Sequence, residues 1–220
     1  MDGYPLIAHF AFYSVLLPIS VAFVRLKLLN RGMKILFLFL TFVLAADIFF
    51  FWYVKVYSIS LGSFHIYYLI EFVLIMSIMY IWQDSNRRKV LFLKLMVVYS
   101  AFWAIAMFTF EPLTGLYTFK ACISQTLLTI CAEYTLFFII KNRTESILTD
   151  YRFWVLLGFV IYYAGTLIVI ASRGILLHYP IEILLIVSTI DWSLKILFNI
   201  LFAIGFLCSK TKSKNNIIKG

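Results

Sequence analysis

The sequence predicts an all-α, polytopic membrane protein of seven transmembrane helices, with the N-terminus outside and the C-terminus in the cytoplasm. Its 220 residues are 64% hydrophobic and 13% charged, with a mean hydropathy of +0.99, a balance foreign to soluble domains. The charges fall in short clusters between apolar runs of about twenty residues, the length that crosses a bilayer's hydrocarbon core. Fifteen of the 19 Lys and Arg lie in the odd-numbered connections and the tail: Arg25, Lys27, Arg31 and Lys34; Arg87, Arg88, Lys89 and Lys94; Lys141, Arg143 and Arg152; Lys210, Lys212, Lys214 and Lys219. The even-numbered connections hold only Lys55, Lys120 and Arg173. The positive-inside rule then orients the bundle and leaves Lys195 as the one base within the membrane.

The expected spans are Pro5 to Val24, Met33 to Val54, Phe64 to Trp82, Val90 to Phe110, Phe119 to Ile140, Phe153 to Ala171 and Ile181 to Cys208. Residues 1–208 form one transmembrane domain and 209–220 a basic cytoplasmic tail. The first span lacks a basic leader and is read as uncleaved; Pro18, with no N–H to donate, predicts a kink in it. His9 and Tyr13, one turn apart, read as interfacial residues. The second span is apolar up to Asp47, which precedes the aromatic belt Phe49 to Tyr53. In the third, Glu71 lies on the order of 10 to 12 Å below the surface at 1.5 Å per residue. Asp47 and Asp191 fall at a similar depth.

Tyr99, Ser100 and Trp103 in the fourth span are ordinary packing polarity. Gln125, Thr129 and Glu133 in the fifth recur at i+4 and form a polar stripe. Gly158 and Gly165 in the sixth favour close helix approach, with Thr166 near the same face and Tyr162 or Tyr163 as an internal donor. The seventh is the most telling. Asp191 precedes Lys195 by one turn, in the favourable order for an ion pair, and the stripe runs on from Ser188 to Asn199.

Inside the membrane, four acids (Asp47, Glu71, Glu133 and Asp191) thus face one base. Charges at such depth cost roughly 2.5 to 3.5 kcal/mol each and so need partners or protonation. The net charge of +9 is absorbed by loops facing the cytoplasm and anionic headgroups, so the expected partner is the lipid bilayer and not nucleic acid. Cys122, Cys131 and Cys208 have no metal-ligand spacing, and no metal site or disulfide is expected. The sequon at Asn142 lies in a cytoplasmic loop and reads as chance. No His-Glu-x-x-His or Gly-x-Ser-Gly arrangement is present, and no enzyme is expected.

Asp191-Trp-Ser-Leu-Lys195 resembles the Asp-x-x-x-Lys signature of the microbial rhodopsins. That resemblance implies retinal as a Schiff base on Lys195, Asp191 in its counterion and Glu71 as the principal counterion. The third span reads Val73-Leu-Ile-Met-Ser77 where that family has a Thr-Thr-Pro run. Ile66-Tyr67-Tyr68-Leu-Ile70-Glu71-Phe72, Phe153-Trp154 with Gly158 and Tyr162 to Gly165, and Asn199-Ile-Leu201 are similar to a family of uncharacterised bacterial seven-helix membrane proteins. This second resemblance implies a multi-pass protein of the bacterial cytoplasmic membrane.

The leading expectation is a non-enzymatic sensory or ligand-binding bundle signalling through a cytoplasmic or membrane partner. Its site residues are Lys195, Asp191, Glu71, Asp47, Glu133, Gln125, Thr129, Asn199 and Tyr162. An opsin-like photoreceptor or pump and a proton- or cation-coupled transporter are the alternatives; a static polar core competes with all three.

Overall fold

The computed structural model describes residues 5–57, 62–109, 118–142, 146–176 and 180–209. The tail from 210 on, Arg143 and Thr144 of the sequon, and the side chains of Phe51, Trp52, Tyr53, Lys55 and Arg173 lie outside the described residues. Among the described residues the chain is all-helical: α1 (Leu6–Ser14), α2 (Leu16–Val24), α3 (Arg31–Tyr57), α4 (Gly62–Ile81), α5 (Asn86–Thr109), α6 (Thr118–Lys141), α7 (Tyr151–Leu176) and α8 (Ile181–Cys208). α1 and α2 share one span, so six segments are long and apolar enough to cross a membrane, and α4 adds a shorter apolar stretch, His65–Ile81. The molecule is a helical bundle with the composition of a multi-pass membrane protein.

Local chemistry sets the helix ends. Asn30 Oδ1 accepts the Met33 N–H at 3.1 Å and caps α3. Asp150 accepts the Arg152 N–H at 2.9 Å and pairs with its guanidinium, also at 2.9 Å, at the start of α7. Arg25, closing α2, donates to the Leu207 carbonyl and, at 3.1 Å, to that of Ser209, satisfying acceptors that the end of α8 leaves over.

The first span breaks at Val15, three residues before Pro18. Proline cannot donate to the Ser14 carbonyl and its ring crowds it. The Ser14 hydroxyl donates to Ala11 O at 2.8 Å and accepts from Asn199 Nδ2 at 2.8 Å. Asn199, 1% exposed, therefore clasps the broken helix to α8.

Helices α3, α4, α6, α7 and α8 follow one another around the bundle; α1 and α2 lie on α8, and α5 packs mainly on α4. Glycines bring α7 and α8 together: a Cβ at Gly205 would sit 2.8 Å from Val155 Cγ2, and one at Gly165 would sit 2.5 Å from Leu194 Cδ1. The densest apolar packing lies toward the end bearing Arg25, Arg31, Arg88 and Lys141, called here the basic end. Met33, Leu36, Phe39 and Leu40 meet Ile75, Met76 and Met79 there, with Val155, Phe159, Phe202 and Phe206 beside them.

Two sequence expectations change. Glu133 is exposed on α6, between the exposed Ile130 and Phe137; the i+4 stripe from Gln125 turns gradually outward, because 3.6 residues per turn does not keep four-residue steps on one face. Lys120 is only 2% exposed, with its ammonium 5.5 Å from the Trp103 ring centroid. It is a second buried base, and not a loop residue. An aromatic face shelters a desolvated cation, which explains how α6 can begin on a buried lysine.

Candidate functional site

Toward the opposite end, helices α3, α4, α6, α7 and α8 part around a cavity of about 180 Å³. α3 contributes Asp47 and Phe50; α4 Tyr67, Tyr68 and Glu71; α6 Gln125; α7 Tyr162, Thr166 and Ile170; α8 Asp191, Trp192 and Lys195. Carboxyl, amide, hydroxyl and ammonium groups converge here from five helices. Each acid sits two to three turns from the end of its helix, so the equal depths of Asp47, Glu71 and Asp191 become a shared wall.

Lys195 Nζ donates to Asp47 Oδ2 at 2.6 Å, with both side chains 23% exposed. The ion pair thus crosses from α8 to α3, where the sequence pointed to Asp191 on the same helix. A local i,i+4 pair needs no knowledge of helix neighbours, whereas the Asp47 contact depends on α3 and α8 facing one another. Asp191 remains on the cavity wall.

Glu71 is 6% exposed. Its Oε1 accepts the Tyr163 hydroxyl at 2.7 Å, and Oε2 makes no hydrogen bond among the described residues. Tyr163 is itself 1% exposed and stacks on Phe159 at 6.0 Å, so the carboxylate is held by a rigid donor. The single hydroxyl proton of Thr166 is shared between Gln125 Oε1 at 3.0 Å and Tyr162 O at 2.8 Å, which ties α6 to α7 beside the cavity.

Aromatic contacts fix the rings. Tyr67 stacks on Phe42 at 5.5 Å and meets Tyr68 edge-on at 5.4 Å, while Tyr162 stacks on Phe198 at 4.5 Å. Such packing leaves little rotamer freedom, so the lining is preorganised.

Of the residues expected at the site, Lys195, Asp191, Glu71, Asp47, Gln125 and Tyr162 line the cavity. Thr129 does not: it donates back to Gln125 O at 2.8 Å. Asn199 binds Ser14, and Glu133 faces outward. Tyr67, Tyr68, Thr166 and Trp192 were missed as site residues. Each adjoins a residue already singled out, at one helical turn or the next position, and that spacing was the available signal.

Among the described residues no three His, Cys, Asp or Glu side chains converge closely enough to hold a metal ion. A space of about 180 Å³ accommodates several waters or a small solute. That lies below the roughly 300 Å³ at which pockets for drug-sized ligands begin. Chemically the cavity can hold a small polar molecule or a chain of waters between ionisable groups. No family model, no curated protein and no solved structure matches this chain.

Proposed function

We infer that the chain is a seven-span, non-enzymatic membrane protein of the sensory or ligand-binding kind. Its N-terminus lies outside and its C-terminus in the cytoplasm, and its cavity takes a small polar solute from the outer side. The observation that carries this reading is the cavity of about 180 Å³, whose ionisable lining comes from five helices and is braced by aromatic packing. A static polar core would fill the space between such groups; here about 180 Å³ remains between them. The Lys and Arg distribution supports the orientation. Occupancy of a site shared by five helices can bias their packing, and the short connections leave readout to a cytoplasmic or membrane partner.

The test uses purified protein in lipid nanodiscs and a panel of small amines, carboxylates, amides and polyols. A saturable change in the emission of Trp192, absent in Trp192→Phe, is expected with at least one class. Failure of every class to bind would overturn the reading. Reporters fused at each terminus test the orientation.

An opsin-like reading draws on one feature, the carboxylate 2.6 Å from the Lys195 ammonium, which would serve a protonated imine as counterion. The small, polar lining favours a compact solute over a long polyene. A visible band formed with retinal, bleached by hydroxylamine and lost in Lys195→Ala, would reverse that preference.

A further inference from the structure

We propose that α5 and α6 form a pairing surface for a second copy of this chain, held by two reciprocal ion pairs within the membrane, Lys94 of each copy with Glu133 of the other. The proposal rests on neither the cavity nor its ligand.

Both side chains belong to membrane-spanning helices yet face outward. α5 and α6 each have the length and hydropathy of a span, and Lys94 and Glu133 are exposed on them. Lys94, grouped by sequence with the connection before it, lies about two turns from Asn86, where α5 begins; Glu133 lies about two turns from Lys141, where α6 ends. That is roughly 12 Å along each helix at 1.5 Å per residue. Neither side chain makes a hydrogen bond or an ion pair among the described residues. An ionisable group inside a span ordinarily has a partner. The lysine stem is long enough to carry its ammonium toward the headgroups; the carboxyl of Glu133, on a shorter stem, needs a donor at its own depth.

The two helices are neighbours. The Arg88 guanidinium stands 4.3 Å from the Phe138 ring centroid, and the rings of Phe92 and Tyr134 lie 6.3 Å apart. These antiparallel contacts bring Lys94 and Glu133 to about the same level. Around each charge the exposed positions follow a seam: Lys94, Val97 and Ala101 on α5 at steps of three and four, and Thr126, Ile130 and Glu133 on α6 at steps of four and three. Such spacing keeps one edge turned toward a facing helix, and the small side chains of Ala101 and Thr126 let that helix approach closely.

A second copy answers both charges. Copies inserted with one topology are related by a twofold axis along the membrane normal, which preserves depth and lays α5 of one against α6 of the other. In such an isologous contact residue i meets j and j meets i, so an acid and a base at one level on one surface are self-complementary. Two Glu–Lys pairs then replace four lipid-facing charges. A different partner protein would have to bring both groups at matching depths.

Copies bearing donor and acceptor fluorescent proteins at the C-terminus, co-expressed in one membrane, would report association by energy transfer at rising surface density, with size-exclusion profiles as the check on folding. Transfer that saturates with density is expected for the unsubstituted chain. Lys94→Glu or Glu133→Lys alone sets like charges together and should weaken association about tenfold or more. Co-expression of Lys94→Glu with Glu133→Lys should restore it, because each copy then meets the opposite charge in the other. Should either variant fold poorly, Lys94→Ala and Glu133→Ala carry the same test, each with association about threefold weaker. At low density, where copies do not meet, Glu133 shows only its cost in lipid.

Three results would each refute the pairing. Transfer no greater than that of a monomeric membrane protein at equal density would mean that something other than a second copy covers this face. Association unaffected by every one of these substitutions would put the contact on other helices. Weakening by both single charge reversals without rescue in the mixture would make Lys94 and Glu133 partners within one chain.

Discussion

The partner of Lys195 can be identified energetically by paired substitution. With charges 2.6 Å apart, the Coulomb term is about 6 kcal/mol at an effective dielectric near 20 and about 1.6 kcal/mol at the dielectric of water. Both side chains are 23% exposed, so the pair sits between an exposed bridge, about 0.2 to 1 kcal/mol, and a buried one, where removal of one partner costs about 3 to 5 kcal/mol. A coupling energy of about 2 kcal/mol is expected. Lys195→Met and Asp47→Asn, separately and together, close one double-mutant cycle; Lys195→Met with Asp191→Asn closes a second. Reversible unfolding in mixed detergent micelles supplies the free energies. The Asp47 cycle should show the larger coupling, because that carboxylate receives the hydrogen bond. A coupling within about 0.5 kcal/mol of zero for Asp47, alongside a larger one for Asp191, would refute the interhelical pairing.

Four further outcomes follow from other contacts. Gly32→Ala should destabilise by about 1 to 3 kcal/mol, since its Cβ would press against Nε1 of the buried Trp82, a rigid ring with little room to move. Gly165→Ala should cost less in the same unfolding assay, because it meets the flexible end of Leu194 and gains about 1 kcal/mol of helix propensity; the reverse order would contradict the packing. Tyr163→Phe should cost about 0.5 to 2 kcal/mol by removing the donor to Glu71, and a double change with Glu71→Leu should recover part of that loss. Glu133→Leu should be neutral or stabilising by up to about 3 kcal/mol in bilayers, as the exposed carboxylate has apolar neighbours; a large loss of stability there would show a partner for Glu133.

The helices were legible because a span is a local property: about twenty apolar residues between charge clusters suffice to announce it. Pro18 likewise announced a disturbance in the first span, although the break falls at Val15 and the bond that ties the Ser14 hydroxyl to α8 comes from Asn199, far along the chain. Depth was legible too, since counting residues from a helix end needs no tertiary knowledge, and Asp47, Glu71 and Asp191 do line one cavity. Azimuth was not. Gln125 and Glu133 share a sequence stripe, yet one is 4% exposed and the other faces outward. Near-uniform hydrophobicity hides which side of a helix meets protein and which meets lipid, because both are apolar. For the same reason the internal donor of the sixth span was legible only as Tyr162 or Tyr163, with no acceptor named, and Lys120 passed as a loop residue.

Helix α8 joins the two physical regimes of the bundle. Phe198, Leu201, Phe202 and Phe206 bury its basic half, and Arg25 closes its last turn. There, displacement would disturb close-packed rings and is strongly opposed. Its other half presents Asp191 and Lys195 to a polar cavity, with Ile186 and Ile190 exposed on the outside. Leu194 still meets Gly165 of α7 in that half, while a change in the partner of Lys195 alters the electrostatic link between α8 and α3. Asn199, one turn beyond Lys195, holds Ser14 at the break in the first span. A shift at the cavity therefore has a short route to the α1–α2 break before the rigid half damps it. If α8 carries a signal, Asn199→Leu should leave the affinity for a cavity ligand within about twofold, since Asn199 lies outside the cavity, yet abolish the ligand-induced change in hydrogen exchange of α1. Retention of that change would place the coupling along another helix.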